Sequence, residues 1–155
     1  MSLKKLIDNT AAFKAGIASL KKQVYVGVPS NGDQREGGPI GNASLAYIHE
    51  KGSPAANIPA RPFMEPGVQS AQGAVESALK SGAISALSNF GAVDATLNKV
   101  GLIAQTAIKK FIVAGTGFKP LSESTLKARK RRGLSRTKPL IDTASLLNSI
   151  TYVVR

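Results

Sequence analysis

The side chains with the most chemical potential in this 155-residue chain are cations, and they are concentrated: Lys119 to Lys138 holds eight of the 21 Lys and Arg residues and only one acid. Within that stretch LSESTLKARKRRG reads as a short helix. Ser122 is its natural cap, Leu121 and Leu126 stand at the N′ and N4 positions of a hydrophobic staple, Glu123 suits the positive first turn and Gly133 ends it. Lys127, Arg129, Lys130, Arg131 and Arg132 then fall in its last turns, followed by Arg136 and Lys138, and together they are the candidate partner-contact residues. Three readings stay open for them. They suit the phosphates of a duplex, bound in a salt-dependent and sequence-independent way. They suit equally an acidic protein surface. Or they complement the helix dipole and stay solvated. The rings that single-strand binders interleave with their cations are missing, Phe118 being the only one between Phe111 and Tyr152.

The other reactive groups point to no reaction. His49-Glu50 is the obvious place for acid–base work near neutral pH. A His on the apolar face of a short helix is, however, more often a hydrogen-bonded core or interface residue. No serine sits in a G-x-S-x-G elbow, and Gly32, Gly37, Gly38 and Gly41 form neither G-x-G-x-x-G nor a phosphate-binding loop. The nine acids are scattered, there is no cysteine, and one His excludes a multi-histidine metal centre within the chain. The expectation is a protein without catalytic residues, cofactor or metal.

The elements that must position the cations are legible from spacing. Leu3, Leu6, Ile7, Phe13, Ile17 and Leu20 predict an amphipathic helix over 3–20 capped by Ser2. QVYVGVP predicts a strand near 23–29, and 30–41, with four glycines and no periodicity, predicts a flexible loop. Asn42 is placed to cap a short helix with Leu45, Ile48 and His49 on one face and Gly52 as its left-handed stop. Four prolines make 53–66 an extended or turned segment. From Gly67 to Val113 two Ala-rich helices are expected, broken near Asn89-Phe90-Gly91. In IDTASLLNSI, Asp142 reads as the N-cap of a second short helix, stapled by Ile141 and Leu146, and the alternation of Ile150, Tyr152 and Val154 predicts a strand at 150–154 paired with the one near 23–29. The fold class is therefore α+β: one domain over 1–155, with a small antiparallel sheet, an N-terminal helix, a long helical middle and two short C-terminal helices. No apolar run is long enough to span a membrane, and MSLKKLIDNTAAF is too charged for a signal peptide, so no membrane partner and no secretion are expected.

Four stretches taken together resemble the tail-completion or neck proteins of long-tailed bacteriophages, a family of head–tail joining and virion morphogenesis proteins. They are LAYIHEKG (45–52), IPARPFMEP (58–66), KPLSESTLKARKRRG (119–133) and KPLIDTASLLNSITYVV (138–154). In that family a short helix ending in Gly precedes an I-P-A-R-P-F-like strand, and P-L-S-x-x-T-x-x-x-K later precedes P-L-[IV]-D-T-x-x-L-x-x-S-I-x-Y. Order and spacing here agree. One departure is Ala144, where the family often has Gly; Ala at a second helical position would be the better helix former. The resemblance implies a structural virion protein assembled in the host cytoplasm, forming a ring, a hexamer by the sixfold symmetry of the tail. That ring would join the connector to the tail terminator and tail tube proteins and leave a channel for genomic DNA, with non-specific contact to that DNA as a second use of the cations. It carries over no catalytic residue. The rival reading is a small basic nucleic-acid-binding protein. Against it, residues 23–118 hold seven basic residues and six acidic, whereas such a protein normally spreads cations over a whole face.

Overall fold

The computed structural model describes residues 21–31, 39–89 and 91–155, with positions 11, 14 and 18 besides. All of the helix expected over 3–20 except those three positions, which are helical, lies outside the described residues with its Ser2 cap, as does the greater part of the loop at 30–41. The described elements are strand β1 (Val24–Gly27), helix α1 (Asn42–Lys51), a 3-10 turn at Pro54–Ala56, helices α2 (Met64–Gln69), α3 (Gln72–Ser88), α4 (Ala92–Ala114), α5 (Glu123–Arg131) and α6 (Ser145–Ser149), and strand β2 (Thr151–Val154). The class is α+β, dominated by helix.

The spine is α4, whose buried positions Val93, Val100, Gly101, Ala104, Ile108 and Ile112 recur at helical spacing and make one inward stripe. Its start is set by the expected break: the Asn89 side-chain oxygen accepts the Gly91 amide at 2.9 Å, and the Ala92 amide donates to the Asn89 carbonyl at 3.0 Å. α3 lies against this stripe through small residues, Ala71, Ala78 and Ala86 being buried. The helical middle has one more break than the two-helix reading allows. α2 starts inside the Pro-rich segment, with Pro66 in its first turn where a missing N–H costs nothing, and the chain turns at Ser70-Ala71 before α3 begins. That turn frees α2 to cross α4 at close range: a Cβ on Gly67 would stand 2.8 Å from the Ile108 Cα, inside any allowed contact.

The two strands pair antiparallel as expected, in the register Val24↔Val154, Tyr25↔Val153, Val26↔Tyr152 and Gly27↔Thr151. The pairing extends one residue beyond the strands through reciprocal amide–carbonyl bonds between Gln23 and Arg155, at 2.5 and 3.0 Å. One sheet face lies on α4. There the Tyr152 ring fills the space left by Gly101, the Tyr152 hydroxyl donates to the Asn98 side chain at 3.3 Å, and the Gln105 side chain donates to the Ile150 carbonyl at 3.1 Å. Tyr25 and Val153 face outward, 56% and 40% exposed. The core joins all these layers: Ala46, Phe63, Ile108, Ile112, Leu140, Leu146 and Ile150 are buried together, with Val26, Met64 and Phe111 packed against them.

α1 departs from expectation at its start and keeps to it at its end. Gly41, not Asn42, is the N-cap, because the buried Asn42 side chain accepts the Ser145 hydroxyl at 3.1 Å. Gly52 ends the helix with φ 78°, and a Cβ there would lie 2.8 Å from the Ala60 nitrogen, so only glycine fits. The Pro-rich segment folds back through paired bonds between Ser53 and Ile58 and then runs extended to Phe63. Glu50 closes this turn: its Oε2 accepts the Phe63 and Met64 amides at 2.8 and 3.1 Å, giving α2 an N-terminal acceptor from another element.

The two environments of Gly67 and Gly73 make a paired test. Gly67→Ala is expected to lower stability by about 1–3 kcal/mol, since the added methyl meets backbone. Gly73→Ala, with nothing within 4 Å, is expected to raise it by about 0.5–1 kcal/mol. Urea unfolding of both variants checks the difference.

Candidate functional site

α5 is capped at both ends as its sequence specifies. Ser122 is in extended backbone and its Oγ accepts the Thr125 amide at 3.3 Å. At the other end Gly133 takes φ 74°, its amide donates to the Lys130 carbonyl and the Leu134 amide to the Arg129 carbonyl, each at 3.0 Å. This bond pair is the Schellman stop.

The chain from 134 to 144 that follows contains no helix or strand, yet its carbonyls still need donors. Arg129 supplies them. It is only 6% exposed, and its Nη1 lies 2.9 Å from each of the carbonyl oxygens of Arg136, Lys138 and Ile141, sharing its hydrogens among them. Its Nε stands 3.4 Å from Asp142 Oδ1, while Arg132 Nη2 reaches Asp142 Oδ2 at 3.1 Å and Arg136 Nη1 donates to the Asp142 carbonyl at 3.2 Å. Lys138 Nζ donates to the Val113 carbonyl at 2.5 Å, a cation on the last turn of α4.

These contacts divide the seven candidate contact residues. Arg129 is corrected outright: it is an internal strut and offers no surface contact. Arg132, Arg136 and Lys138 are tied to Asp142 or to a backbone carbonyl. Lys127, Lys130 and Arg131 are exposed and make no ion pair or side-chain hydrogen bond among the described residues. Asp142 is corrected too. It does not cap α6, because an ion pair with Arg129 and a charge-assisted hydrogen bond from Arg132 hold its carboxylate instead. The helix starts later, at Ser145, behind Ala144 in the left-handed conformation at φ 67°. The expectation that Ala144 sits as a helix former inside the helix therefore fails, and a glycine would suit this backbone better.

Between α1, the extended segment, the α5 N-terminus and the 140–146 turn lies a cleft of about 540 Å³. Arg61 and Arg129 both line it, with Lys119 and His49, and its single carboxylate, Asp142, is the one already shared by Arg129 and Arg132. Arg61, 7% exposed, spends Nε on the Lys119 carbonyl at 2.9 Å and Nη2 on the Pro120 carbonyl at 3.3 Å. Burial pushes its guanidinium below the ordinary arginine value, and the charge of Arg129 pushes the same way. Two buried cations thus face one cleft. Arg61 was missing from the sequence-derived candidates; the available signal was its place as the lone charge in the apolar run Ile58 to Met64. Of the acid–base pair His49-Glu50, the His lines the cleft while the Glu carboxylate is occupied by the α2 amides. Among the described residues no three His, Asp or Glu come together as a metal-ligand group, and no helix is long and apolar enough to cross a membrane.

Comparison of the chain with protein-family models, curated proteins and solved structures finds no match in any of the three.

Two substitutions test the assignment of roles. Arg129→Ala, which removes the shared donor of three carbonyls and leaves Asp142 with Arg132 alone, is expected to cost about 3–5 kcal/mol, whereas Arg131→Ala stays within about 0.5 kcal/mol of the parent. Ala144→Gly is expected to stabilise by about 1 kcal/mol by removing left-handed strain. Chemical denaturation followed by circular dichroism reads all three.

Proposed function

We propose that the chain is a structural adaptor of the head–tail junction of a long-tailed bacteriophage, a subunit of a ring that joins the tail to the connector and leaves a channel for DNA. The observation that carries this reading is that the four segments of the resemblance are one another's contacts. Glu50 of the first holds the Phe63 and Met64 amides of the second, Arg61 of the second holds the Lys119 and Pro120 carbonyls of the third, and Arg129 of the third holds the Lys138 and Ile141 carbonyls of the fourth. Motifs spread over the chain that meet in one network support reading them as the signature of one fold. The network consumes polar groups internally, and the outer surface it leaves includes the Tyr25–Val153 face of the sheet and the cations Lys127, Lys130 and Arg131. A ring with a channel needs two different surfaces per subunit, one meeting the other on the neighbouring copy.

The same division of cations weakens the nucleic-acid reading. A phosphate-tracking surface needs several cations free to release counterions, and four of the seven candidate contact residues are tied to groups of this chain.

Native mass spectrometry at moderate salt, with and without a short duplex, is expected to show a ring of six or more subunits indifferent to DNA; a monomer that binds duplex with a steep salt dependence would favour the rival. The triple change Lys127→Ser, Lys130→Ser and Arg131→Ser is expected to leave the melting temperature within about 2 °C of the parent and to abolish assembly of infectious particles. Particles assembled normally by this variant would remove the basic face from the adaptor's contacts.

A further inference from the structure

The cleft beneath Arg61 has an electrostatic imbalance that its own residues do not correct. Arg129 has Asp142 as counter-ion, but Asp142 is shared with Arg132, and Arg61 has no carboxylate partner among the described residues. A nearly buried guanidinium held only by two neutral carbonyls is an expensive arrangement, because removal of a charge from water is offset fully only by an opposite charge. The carbonyl bonds also orient it: with Nε and Nη2 anchored on Lys119 and Pro120, Nη1 is left without a hydrogen bond to the described residues. Lys119 and Thr125 line the same cleft, while Leu45, Ile58 and Leu121 give it apolar walls.

We infer that this cleft is a binding site for a carboxylate carried on a partner polypeptide, an Asp or Glu side chain flanked by apolar residues. The carboxylate would take an end-on hydrogen bond from Arg61 and the attraction of Lys119, and its apolar neighbours would lie against Leu45, Ile58 and Leu121. The walls and the burial select this ligand over a phosphodiester. Duplex phosphates form a broad, wet, convex surface that is met by protruding cations, whereas an arginine 7% exposed as a residue, within a part-apolar cleft, is accessible only to a narrow group that enters. The site stands apart from the exposed cations of α5, and it holds whether or not the chain assembles into a ring.

The test is a titration of the full chain with two capped tripeptides, N-acetyl-Leu-Glu-Leu-amide and N-acetyl-Leu-Gln-Leu-amide, followed by ¹H–¹⁵N NMR of the arginine Nε–H groups and backbone amides. The Glu peptide is expected to move the Arg61 Nε–H and the Thr125 amide together, with a dissociation constant on the order of 1 mM, and the Gln peptide to leave them in place. Lys119→Gln, at the exposed rim, is expected to weaken the Glu peptide several-fold without loss of fold. Arg61→Lys, which keeps the charge but loses the anchored geometry, is expected to weaken it about tenfold, the loss of one charge-assisted hydrogen bond. Because the parent titration reports on Arg61 directly, the result does not depend on the folding of that variant. Equal response to the two peptides, or none to either, overturns the inference. So does movement of the same resonances by inorganic phosphate or a short duplex when the Glu peptide leaves them unmoved, which would make the cleft a phosphate site.

Discussion

A buried guanidinium does in this protein what hydrogen-bond ladders do elsewhere. The stretch from 134 to 144 has no regular structure of its own, and Arg129 gathers three of its carbonyls and the Asp142 carboxylate onto one side chain. The position of α6, and through it the burial of Leu146 and Ile150 in the core, follows from that gathering. Arginine suits the task because its planar head carries nitrogens on different edges: Nη1 faces the three carbonyls while Nε faces the Asp142 carboxylate, so one side chain fixes the loop and meets its counter-ion at once. The cost is a charge taken out of water, which is why Asp142 is drawn away from the helix start to meet it.

The same economy governs the helices. α4 contacts both strands, α2 and α3, and it accommodates them by having small residues where neighbours come close: Gly101 under the Tyr152 ring and Ala104 within the stripe, with Gly67 of α2 pressed against Ile108. Large apolar residues are used sparingly and centrally, Phe63, Ile108, Ile112 and Ile150 being the most deeply buried side chains. Placement of the cleft depends on this spine, because Phe63 and the adjoining Arg61 are fixed by the contact of their segment with Ile108 and Ile112, and by Glu50.

Features decided by neighbours in sequence were legible in it. The Ser122 cap, the Gly133 stop, the Gly52 stop and the break at 89–91 depend on local backbone chemistry, and the β1–β2 pairing follows from alternation in two β-rich runs. Features decided by partners distant in sequence were not. A run of five cations within six positions looks uniformly solvated, yet Arg129 lies three residues after the half-buried Leu126 and therefore on the inward face of α5. Asp142 has every attribute of a cap, and only the nearby arginines redirect it. Asn42 is lost as a cap for the same reason, being claimed by Ser145 on another helix. Arg61 was hidden because its ligands are main-chain oxygens, which any residue supplies and no motif records.

The antiparallel sheet has a kinetic consequence. α3 and α4 are adjacent in sequence and need close only a tight turn to meet, but β1 and β2 are separated by nearly the whole described chain. Closing so long a loop adds little to the equilibrium cost, which grows only logarithmically with length, but contacts between such distant segments slow the search for the native topology. The helical hairpin is thus assembled from local encounters, and the strand pair is a long-range latch drawn across it. A cut anywhere between the strands would turn that latch into an association between two fragments, with a stability that depends on concentration.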